Sequence, residues 1–187
     1  MMIRTQSDRM TGKNGSWHIE LDGISQETAL KIAERDDVVS IGAVTIFNPD
    51  GELPYRMDGK RVVLYGIDES YLTMNSTGAA EGRFPQGMGE IMLSSNAARV
   101  LQVAVGDTVT LRTPSGDWDF TVSGLGGVEE SYYSGQYSLM DAYLPRTAFA
   151  ALMEQNNVHN LQTSYYVQFT SASKAAKAIP ELTAQHN

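Results

Sequence analysis

The 187-residue sequence contains no cysteine. The chain therefore has no disulfide, no thiolate metal ligand and no cysteine nucleophile. A domain exported to an oxidising compartment avoids stray oxidation in this way, but many cytosolic domains lack cysteine as well. The absence excludes three kinds of chemistry without settling the compartment.

Long apolar segments are also missing. No window approaches the run of about 18 apolar residues that a membrane-spanning helix needs, and residues 1–15 are too polar for a signal peptide. Hydrophobic residues nevertheless make up 42% of the chain, which is enough to fill the core of one sizeable domain or of two small lobes. We therefore expect a chain that folds in water and carries no anchor of its own.

Positive charge is scarce, with 14 Lys and Arg against 22 Asp and Glu and a formal net charge of −8 at pH 7. Proteins bind nucleic-acid backbones and anionic membrane surfaces mainly through Lys and Arg. The excess of carboxylates therefore argues against both kinds of partner. A cationic partner is compatible with it, although an acidic surface more commonly only keeps a protein in solution.

The two ends of the chain show the same order of elements. Residues 1–15 are polar and aperiodic, and we expect a flexible lead-in there. Alternation over 17–21 then predicts a strand, Ser25 is a candidate N-cap for an amphipathic helix, and 38–47 predicts a second strand. The end of the chain repeats this strand–helix–strand order, with its final strand over 164–170.

The middle of the chain is rich in strand signals. Residues 108–112 and 118–124 are joined by the turn sequence Pro114–Asp117, which predicts a β-hairpin. A further alternating strand is expected over 61–67. Two strand–helix–strand halves around a β-rich insert predict an α+β fold built from a split βαβ pair, with the middle third as a second lobe.

Catalytic and metal-binding patterns are weak. His18, His159 and His186 do not have metal-ligand spacing, so we expect neither a metal nor a cofactor. Ser171–Lys174 spells the S-x-x-K motif of penicillin-recognising serine enzymes, but the partner motifs of those enzymes are missing. A helix N-cap is the better interpretation of that serine, and we expect no catalytic residue.

Two further patterns have simpler explanations. A dinucleotide-binding loop at Gly124–Gly127 would need a glycine where Glu129 stands. Asp117 and Asp119 could offer oxygen atoms to calcium, but a solvated strand face accounts for them without a ligand.

Tyr132, Tyr133 and Tyr137 are the candidate partner-binding residues. They stand within or next to the Gly- and Ser-rich stretch 126–135. Tyrosine gives rigid amphipathic contact area, and an irregular loop can present it to a partner. The alternative is that these rings pack onto the core of the domain.

Six segments of the middle follow one another in a recognisable order. They are Leu64–Asp68 (LYGID), Glu81–Pro85 (EGRFP), Gly89–Ser94 (GEIMLS), Ala97–Leu101 (AARVL), Val105–Leu111 (VGDTVTL) and Phe120–Leu125 (FTVSGL). No single segment is specific, but the ordered series resembles the extracytoplasmic domain of MacB/FtsX-like ABC-transporter permeases. The resemblance covers residues 62–150 well, and it includes no counterpart for the stretch 126–135.

The resemblance implies an architecture. A porter-like lobe formed by residues 16–60 and 131–187 would be split by an inserted β-rich lobe over 61–130, after a lead-in at 1–15. Both chain ends would face the membrane, with transmembrane helices before and after the domain in the full permease.

The resemblance also implies a role. The permease would pair with a cytoplasmic ATP-binding subunit and with a second permease copy. This domain would be a non-catalytic part of a cell-membrane protein, on its periplasmic or extracellular side. It would transmit ATP-driven motion to substrate export or to a cell-envelope partner, and a peptide, a drug or an envelope protein are all possible partners.

Two other classes of function remain open at this point. A stand-alone α+β cell-envelope hydrolase would show an acid/base pair with shifted pKa values in a deep pocket. A surface adhesion or binding domain would show a large exposed apolar patch.

Overall fold

The computed structural model describes residues 1–6, 15–75, 79–126 and 139–185, and these ranges contain eleven strands and five helices. The strands are β1 (Met2–Thr5), β2 (Ile19–Asp22), β3 (Val38–Phe47), β4 (Arg56–Met57), β5 (Lys60–Ile67), β6 (Ala79–Gly82), β7 (Glu90–Leu93), β8 (Thr108–Thr113), β9 (Gly116–Gly126), β10 (Met140–Pro145) and β11 (Thr163–Phe169). The helices are α1 (Gln26–Ala33), α2 (Glu69–Asn75), α3 (Ser95–Leu101), α4 (Arg146–Gln155) and α5 (Ala172–Gln185).

Helix starts follow the capping chemistry of the sequence. The Thr28 amide donates to the Ser25 Oγ at 3.1 Å, and the Ala97 amide donates to the Ser94 Oγ at 3.1 Å. Each hydroxyl thereby satisfies one of the backbone donors that a helix start leaves without an intrahelical partner. The predicted cap at Ser25 is confirmed.

One half of the molecule, the sheet lobe, consists of β1, β2, β11 and β3 in that spatial order, all antiparallel. Helices α1 and α5 cover one face of these strands, where Ile19, Leu21 and Val167 pack against Ile32 and Ala178. This face buries the alternate residues of each strand, as expected for a sheet with helices on it. We call the opposite face the outer face.

The other half, the barrel lobe, is a closed ring of six strands in the order β5, β10, β7, β9, β8 and β4, with β4 pairing back onto β5. Its interior is a single apolar cluster that includes Val62, Leu64, Ile91, Leu111 and Phe120. A barrel of this size is filled by side chains and has no channel. Helices α3 and α4 pack their apolar residues onto the same cluster.

The lobes meet where β3 pairs antiparallel with β5, so β5 belongs to the sheet and to the barrel at once. Helix α2 follows β5 and lies across this seam on the outer face. It is held there by the Ser70 Oγ, which donates to the Ile41 carbonyl at 2.8 Å, and by the Asp68 carboxylate, which accepts from the Ala43 amide at 3.0 Å. A third apolar cluster, which includes Val44, Leu72 and Tyr143, joins the helix to both lobes.

Three local expectations differ from the structure. Residues 2–5 form a strand, so the expectation of a flexible lead-in is wrong for them: their backbone pairs with β2, although their side chains are mostly exposed. The hairpin of β4 and β5 was not predicted. Residues 70–83, for which we expected a short helix and a loop, include most of α2 and all of the strand β6.

The two lobes are defined here by the apolar cluster in which each element packs. The domain boundaries that the sequence suggested, at 16–60, 61–130 and 131–187, stay a prediction. No helix within the described ranges is both long and apolar enough to span a membrane.

Candidate functional site

The three tyrosines predicted to bind a partner, Tyr132, Tyr133 and Tyr137, lie outside the described residues, between positions 126 and 139. Their role stays a prediction.

Residues considered for catalysis have structural partners. The Lys174 amide donates to the Ser171 Oγ at 3.2 Å at the start of α5, which confirms the N-cap interpretation of the S-x-x-K sequence. The ring Nδ1 of the buried His18 accepts the Phe169 amide at 3.0 Å. Within the described ranges no group of three or more His, Asp or Glu side chains is placed to hold a metal ion.

The aspartates of the central hairpin bind the protein itself. The Thr110 hydroxyl donates to the Asp119 carboxylate at 2.6 Å, and the Arg112 Nε lies 3.6 Å from the Asp117 carboxylate. Both carboxylates point outward from the barrel. A solvated strand face therefore explains them, as the sequence suggested.

Asp141 is a buried acid at the start of β10, and burial raises its pKa, while a hydrogen bond with Tyr65 opposes the rise. The Tyr65 and Tyr143 rings stack beside it with centroids 4.9 Å apart. Asp141 lines neither of the two cavities described below. Its described partners are these tyrosine side chains, which is the arrangement of a structural acid.

The family-like segments EGRFP and GEIMLS meet in a charged clamp. The Arg83 guanidinium donates to both oxygens of the Glu90 carboxylate, one of them at 2.9 Å. The amides of Gln86 and Gly87 donate to the same carboxylate at 2.8 and 3.1 Å. These hydrogen bonds, with that from Arg83 the largest cause, hold the pKa of Glu90 at about 2. The carboxylate thus fixes the loop between β6 and β7.

A third segment, FTVSGL, completes this clamp. The Arg83 amide donates to the Ser123 carbonyl at 2.9 Å, and the Ser123 hydroxyl donates to the Arg83 carbonyl at 3.2 Å. A Cβ on Gly124 would lie 2.4 Å from the Arg83 carbonyl oxygen. Glycine is therefore needed at that position for the backbones to approach. The hydrogen bonds among the three segments fix the loop between β6 and β7 against β9.

We expect the substitution Glu90→Gln to lower the free energy of unfolding at pH 7 by about 1–2 kcal/mol. The loss is no larger because Arg83 is half exposed, so water screens its attraction to Glu90. The folded pKa of Glu90 lies below its ordinary value of 4.5, so its contribution is full above about pH 4.5 and is lost as the pH falls towards 2. Melting temperatures measured from pH 7 to pH 3 should therefore converge for the two proteins.

The matched control is Glu81→Gln, which removes an exposed carboxylate from the neighbouring strand β6. We expect the free energy of unfolding of this variant to lie within about 0.5 kcal/mol of that of the parent chain. If both variants lose the same free energy of unfolding at pH 7, the clamp is contradicted.

On the outer face, Arg4 connects the edge strand β1 to β2. Its guanidinium lies 2.8 Å from the Glu20 carboxylate and 3.2 Å from the Asp22 carboxylate, and both acids are almost fully buried. The Ser164 hydroxyl donates to the second oxygen of Asp22. Buried carboxylates need such partners. Arg4 is therefore a latch that ties the first strand to the sheet.

Aromatic rings cover the acids from the other side. Tyr166 contacts Trp17 and Tyr71 edge-on, with ring centroids 5.0 and 5.1 Å apart. Burial raises the pKa of Tyr71 and of Tyr166, and the nearby Glu20 carboxylate adds to both rises. Both phenols are therefore neutral at physiological pH. A cavity of about 250 Å³ lies beside this cluster, between Met2, Arg4, Ile46 and Ser164.

The larger cavity, about 630 Å³, lies on the barrel lobe and is the candidate functional site. We call it the barrel groove and define it by Met57, Asp58, Leu101, Val103, Thr108 and Thr110. Its floor runs along β8, one wall is the turn between β4 and β5, and the other is the segment that follows α3. Its volume is in the range of ligand-binding pockets.

The wall formed by the β4–β5 turn had a signal in the sequence. Asp58 and Gly59 have positive φ values of 46° and 71°, the type I′ geometry that Asp-Gly adopts in two-residue hairpins. Met57 pairs with Lys60 across it. The flanking strand β4 is only two residues long, too short for an alternating pattern, and for that reason the hairpin and the groove beside it were missed.

Comparisons with known proteins show what the chain is similar to. A family model described as the MacB-like periplasmic core domain matches residues 2–185. No curated protein sequence matches the chain.

Two solved structures have a similar fold. The periplasmic region of MacB from Actinobacillus actinomycetemcomitans superimposes with a TM-score of 0.62 at 15% identity, over 98% of this chain and 81% of that one. A domain assigned to a permease protein from Porphyromonas gingivalis superimposes with a TM-score of 0.56 at 18% identity. The match covers 85% of this chain and 76% of that one.

Proposed function

This chain belongs to the family of MacB-like periplasmic core domains, and from that premise we propose that it acts as a rigid, non-catalytic lever of its transporter. It is the extracytoplasmic domain of an ABC-transporter permease, and permeases of this kind work with ATP-binding subunits and dimerise. The match over residues 2–185 is the observation that carries the proposal. None of the comparisons supports a stand-alone hydrolase or an adhesion domain.

The rigidity follows from the seam between the lobes. A lever conveys motion only if its parts do not slide against one another, and here β5 is hydrogen-bonded in both lobes. Helix α2 crosses the same seam, where Ser70 of the helix and Asp68 just before it each form a side-chain hydrogen bond to the β3 backbone. Motion that enters one lobe should therefore move the other as part of the same body. In the transporter, ATP-driven motion would pass through this body to a substrate or to an envelope partner.

The test uses the full permease reconstituted with its ATP-binding subunit. Leu30 on α1 and Val105 on the barrel lobe are exposed, and these 187 residues contain no cysteine. In a permease whose other cysteines have been replaced, the pair Leu30→Cys and Val105→Cys therefore accepts two spin labels. We expect the distance between these labels to stay the same with and without a non-hydrolysable ATP analogue. The distance between Val105→Cys labels on two permease copies should change.

A permease with each cysteine alone is the control, because it separates distances within one copy from distances between copies. If the analogue changes the distance within one domain, the lever is not rigid. If the analogue leaves the distance between copies unchanged, the domain does not convey ATP-driven motion.

The Arg4 latch should determine how firmly the first strand is held. We expect Arg4→Met to accelerate hydrogen exchange at the amides of β1 severalfold, since the variant leaves Glu20 and Asp22 buried without their cation. Exchange in β7 and β10 of the barrel lobe should not change. Mass-spectrometric exchange on the 187-residue chain measures both regions in one experiment.

Arg35→Met is the control for Arg4→Met, because Arg35 pairs with Asp37 and Glu181 elsewhere in the sheet lobe. Faster exchange in β1 for this control, at a rate equal to that of Arg4→Met, would show that the effect is global and would contradict the latch.

A further inference from the structure

We propose that the barrel groove binds a carboxylate attached to an apolar group, and that Arg56 holds this carboxylate with two of its guanidinium nitrogens, Nε and Nη2. The inference goes beyond the lever function, because it concerns a ligand of the domain and not its motion. It depends on three features: a row of arginines, a fixed guanidinium without an acid, and an apolar wall.

Three arginines lie side by side on the outside of the barrel. Arg56 of β4 is paired with Arg61 of β5 on one side and with Arg112 of β8 on the other. The next residues, Met57 and Leu111, pack in the barrel core, so the arginines point outward. Side chains at directly opposite positions of neighbouring strands lie close together, and like charges there are destabilising. Such a row needs anions to compensate it.

The two outer arginines of the row have acids of their own. The Arg61 Nη1 lies 2.7 Å from the Glu52 carboxylate, and the Arg112 Nε lies 3.6 Å from the Asp117 carboxylate. Arg56, in the middle, forms no ion pair with another described residue. The middle of the row therefore lacks an anion.

Arg56 is nevertheless held in place. Its Nη1 donates to three carbonyl oxygens of its own loop, at 3.3 Å for Gly51, 2.5 Å for Leu53 and 2.8 Å for Tyr55. Its Nε and Nη2 have no hydrogen-bond partner among the residues that the structure describes. The guanidinium is thus already ordered and has two donors left over, so a ligand that accepts from them immobilises little that is not immobile already.

The same two nitrogens bind a carboxylate elsewhere in this chain. Arg35 donates from its Nε and its Nη2 to the two oxygens of Asp37, at 2.9 and 3.0 Å. Two parallel hydrogen bonds of this kind are the geometry by which arginine recognises a planar carboxylate. A carboxylate is therefore the group that matches the two free donors of Arg56.

The groove beside Arg56 has an apolar wall. Leu101 and Val103 line it together with Arg56 and Arg112. Both apolar side chains are half-buried and pack against the barrel core. The volume of about 630 Å³ leaves room for a ligand much larger than a carboxylate alone. A ligand with an apolar body could therefore contact this wall while its carboxylate meets Arg56.

Two acids also line the groove, and they limit the charge of the ligand. Asp117 faces Arg112, and Asp58 is exposed on the β4–β5 turn. A phosphate monoester carries up to about two negative charges at pH 7, so these acids would repel it more strongly than a carboxylate with a single charge. Because the net charge of the chain is −8, contacts within the groove must supply the affinity for an anion, and long-range attraction does not.

The probe is octanoate, and its uncharged analogue octanol is the control. We expect octanoate to shift the NMR signal of the Arg56 Nε–H group and the methyl signals of Leu101 and Val103 in the 187-residue chain, with saturation in the millimolar range. Octanol should bind about tenfold more weakly, because it cannot accept the two charge-assisted hydrogen bonds. Hexanoate, which is shorter by two methylene groups, should also bind up to about tenfold more weakly than octanoate.

Two matched variants locate the site. Arg56→Lys keeps the charge but offers no parallel pair of donors, and it should weaken octanoate about tenfold while octanol binds as before. Arg61→Lys changes the neighbouring arginine, which pairs with Glu52 and does not line the groove, and it should bind octanoate like the parent chain. If Arg56→Lys does not fold, the comparison of octanoate with octanol on the unchanged chain, read at the Arg56 Nε–H signal, still decides.

Four results would overturn the proposal. The first is an unchanged Arg56 Nε–H signal with octanoate at tens of millimolar. The second is octanol that binds as tightly as octanoate, which would show a groove that does not recognise the carboxylate. The third is an equal loss of octanoate binding for Arg61→Lys, and the fourth is tighter binding of octyl phosphate, which would assign the groove to phosphate esters. None of these results would affect the lever function, which the spin-label distances test.

Discussion

The substitution Gly42→Ala should destabilise the domain by about 3 kcal/mol, the upper end of what a single added methyl group costs in a packed interior. A Cβ at Gly42 would lie 2.3 Å from the Tyr71 nitrogen and 2.5 Å from the Tyr71 Cα. These are backbone atoms of α2, so no side-chain rotation relieves the contact. The helix would have to move off the seam as a unit.

The measurement is the midpoint of urea unfolding for the parent chain and the variant. Gly89→Ala is the control, since a Cβ there has no atom within 4 Å, and we expect it to change stability by less than about 0.5 kcal/mol. A midpoint for Gly42→Ala that equals that of Gly89→Ala would show that α2 is not packed against β3.

The substitution Phe120→Ala should have the largest effect, a loss of about 3–5 kcal/mol. The Phe120 ring is 1% exposed and belongs to the core of the barrel lobe. Because the strands of a closed barrel fill its interior from all sides, the structure has little freedom to collapse into the cavity. Leu30→Ala on α1, where the side chain is 58% exposed, is the control and should change stability little.

This second variant also tests whether the lobes unfold together. The two tryptophans of the chain report separately, since Trp17 lies on the sheet lobe against Tyr166 and Trp118 lies on the barrel lobe against Phe120. Two forms of Phe120→Ala are compared, one that retains only Trp17 and one that retains only Trp118. We expect the tryptophan fluorescence of both to change at the same urea concentration. Separate transitions would show that β5 does not couple the lobes.

Local structure could be predicted well from the sequence where a single segment carries its own signal. The strand over 38–47, the cap at Ser25 and the central hairpin are confirmed at those positions. Each depends on alternation, capping or turn chemistry between near neighbours in the chain. The family resemblance and the α+β class are also confirmed, by the family model over residues 2–185 and by the mixed helices and strands of the fold.

Pairings between distant segments were not predictable in the same way. Residues 2–5 are too few to show a pattern, and their strand depends on pairing with β2, where Ile3 packs against the core and Arg4 meets Glu20 and Asp22. The closure of the barrel depends on Arg56 and Met57, which are too few to show a pattern. The barrel groove lies beside that same short strand, so it left no motif to find.

The order of strands in the sheet lobe determines when this domain can complete its fold. Strand β11 lies between β2 and β3, and it is made more than 110 residues after either of them. Until it arrives, β2 and β3 each lack a neighbour on the side where it will insert. The barrel strands all precede β11 in the chain, so the barrel can close first during translation. A chaperone that shields unpaired strands would therefore be needed most for the first quarter of the polypeptide, and only until the last few dozen residues are made.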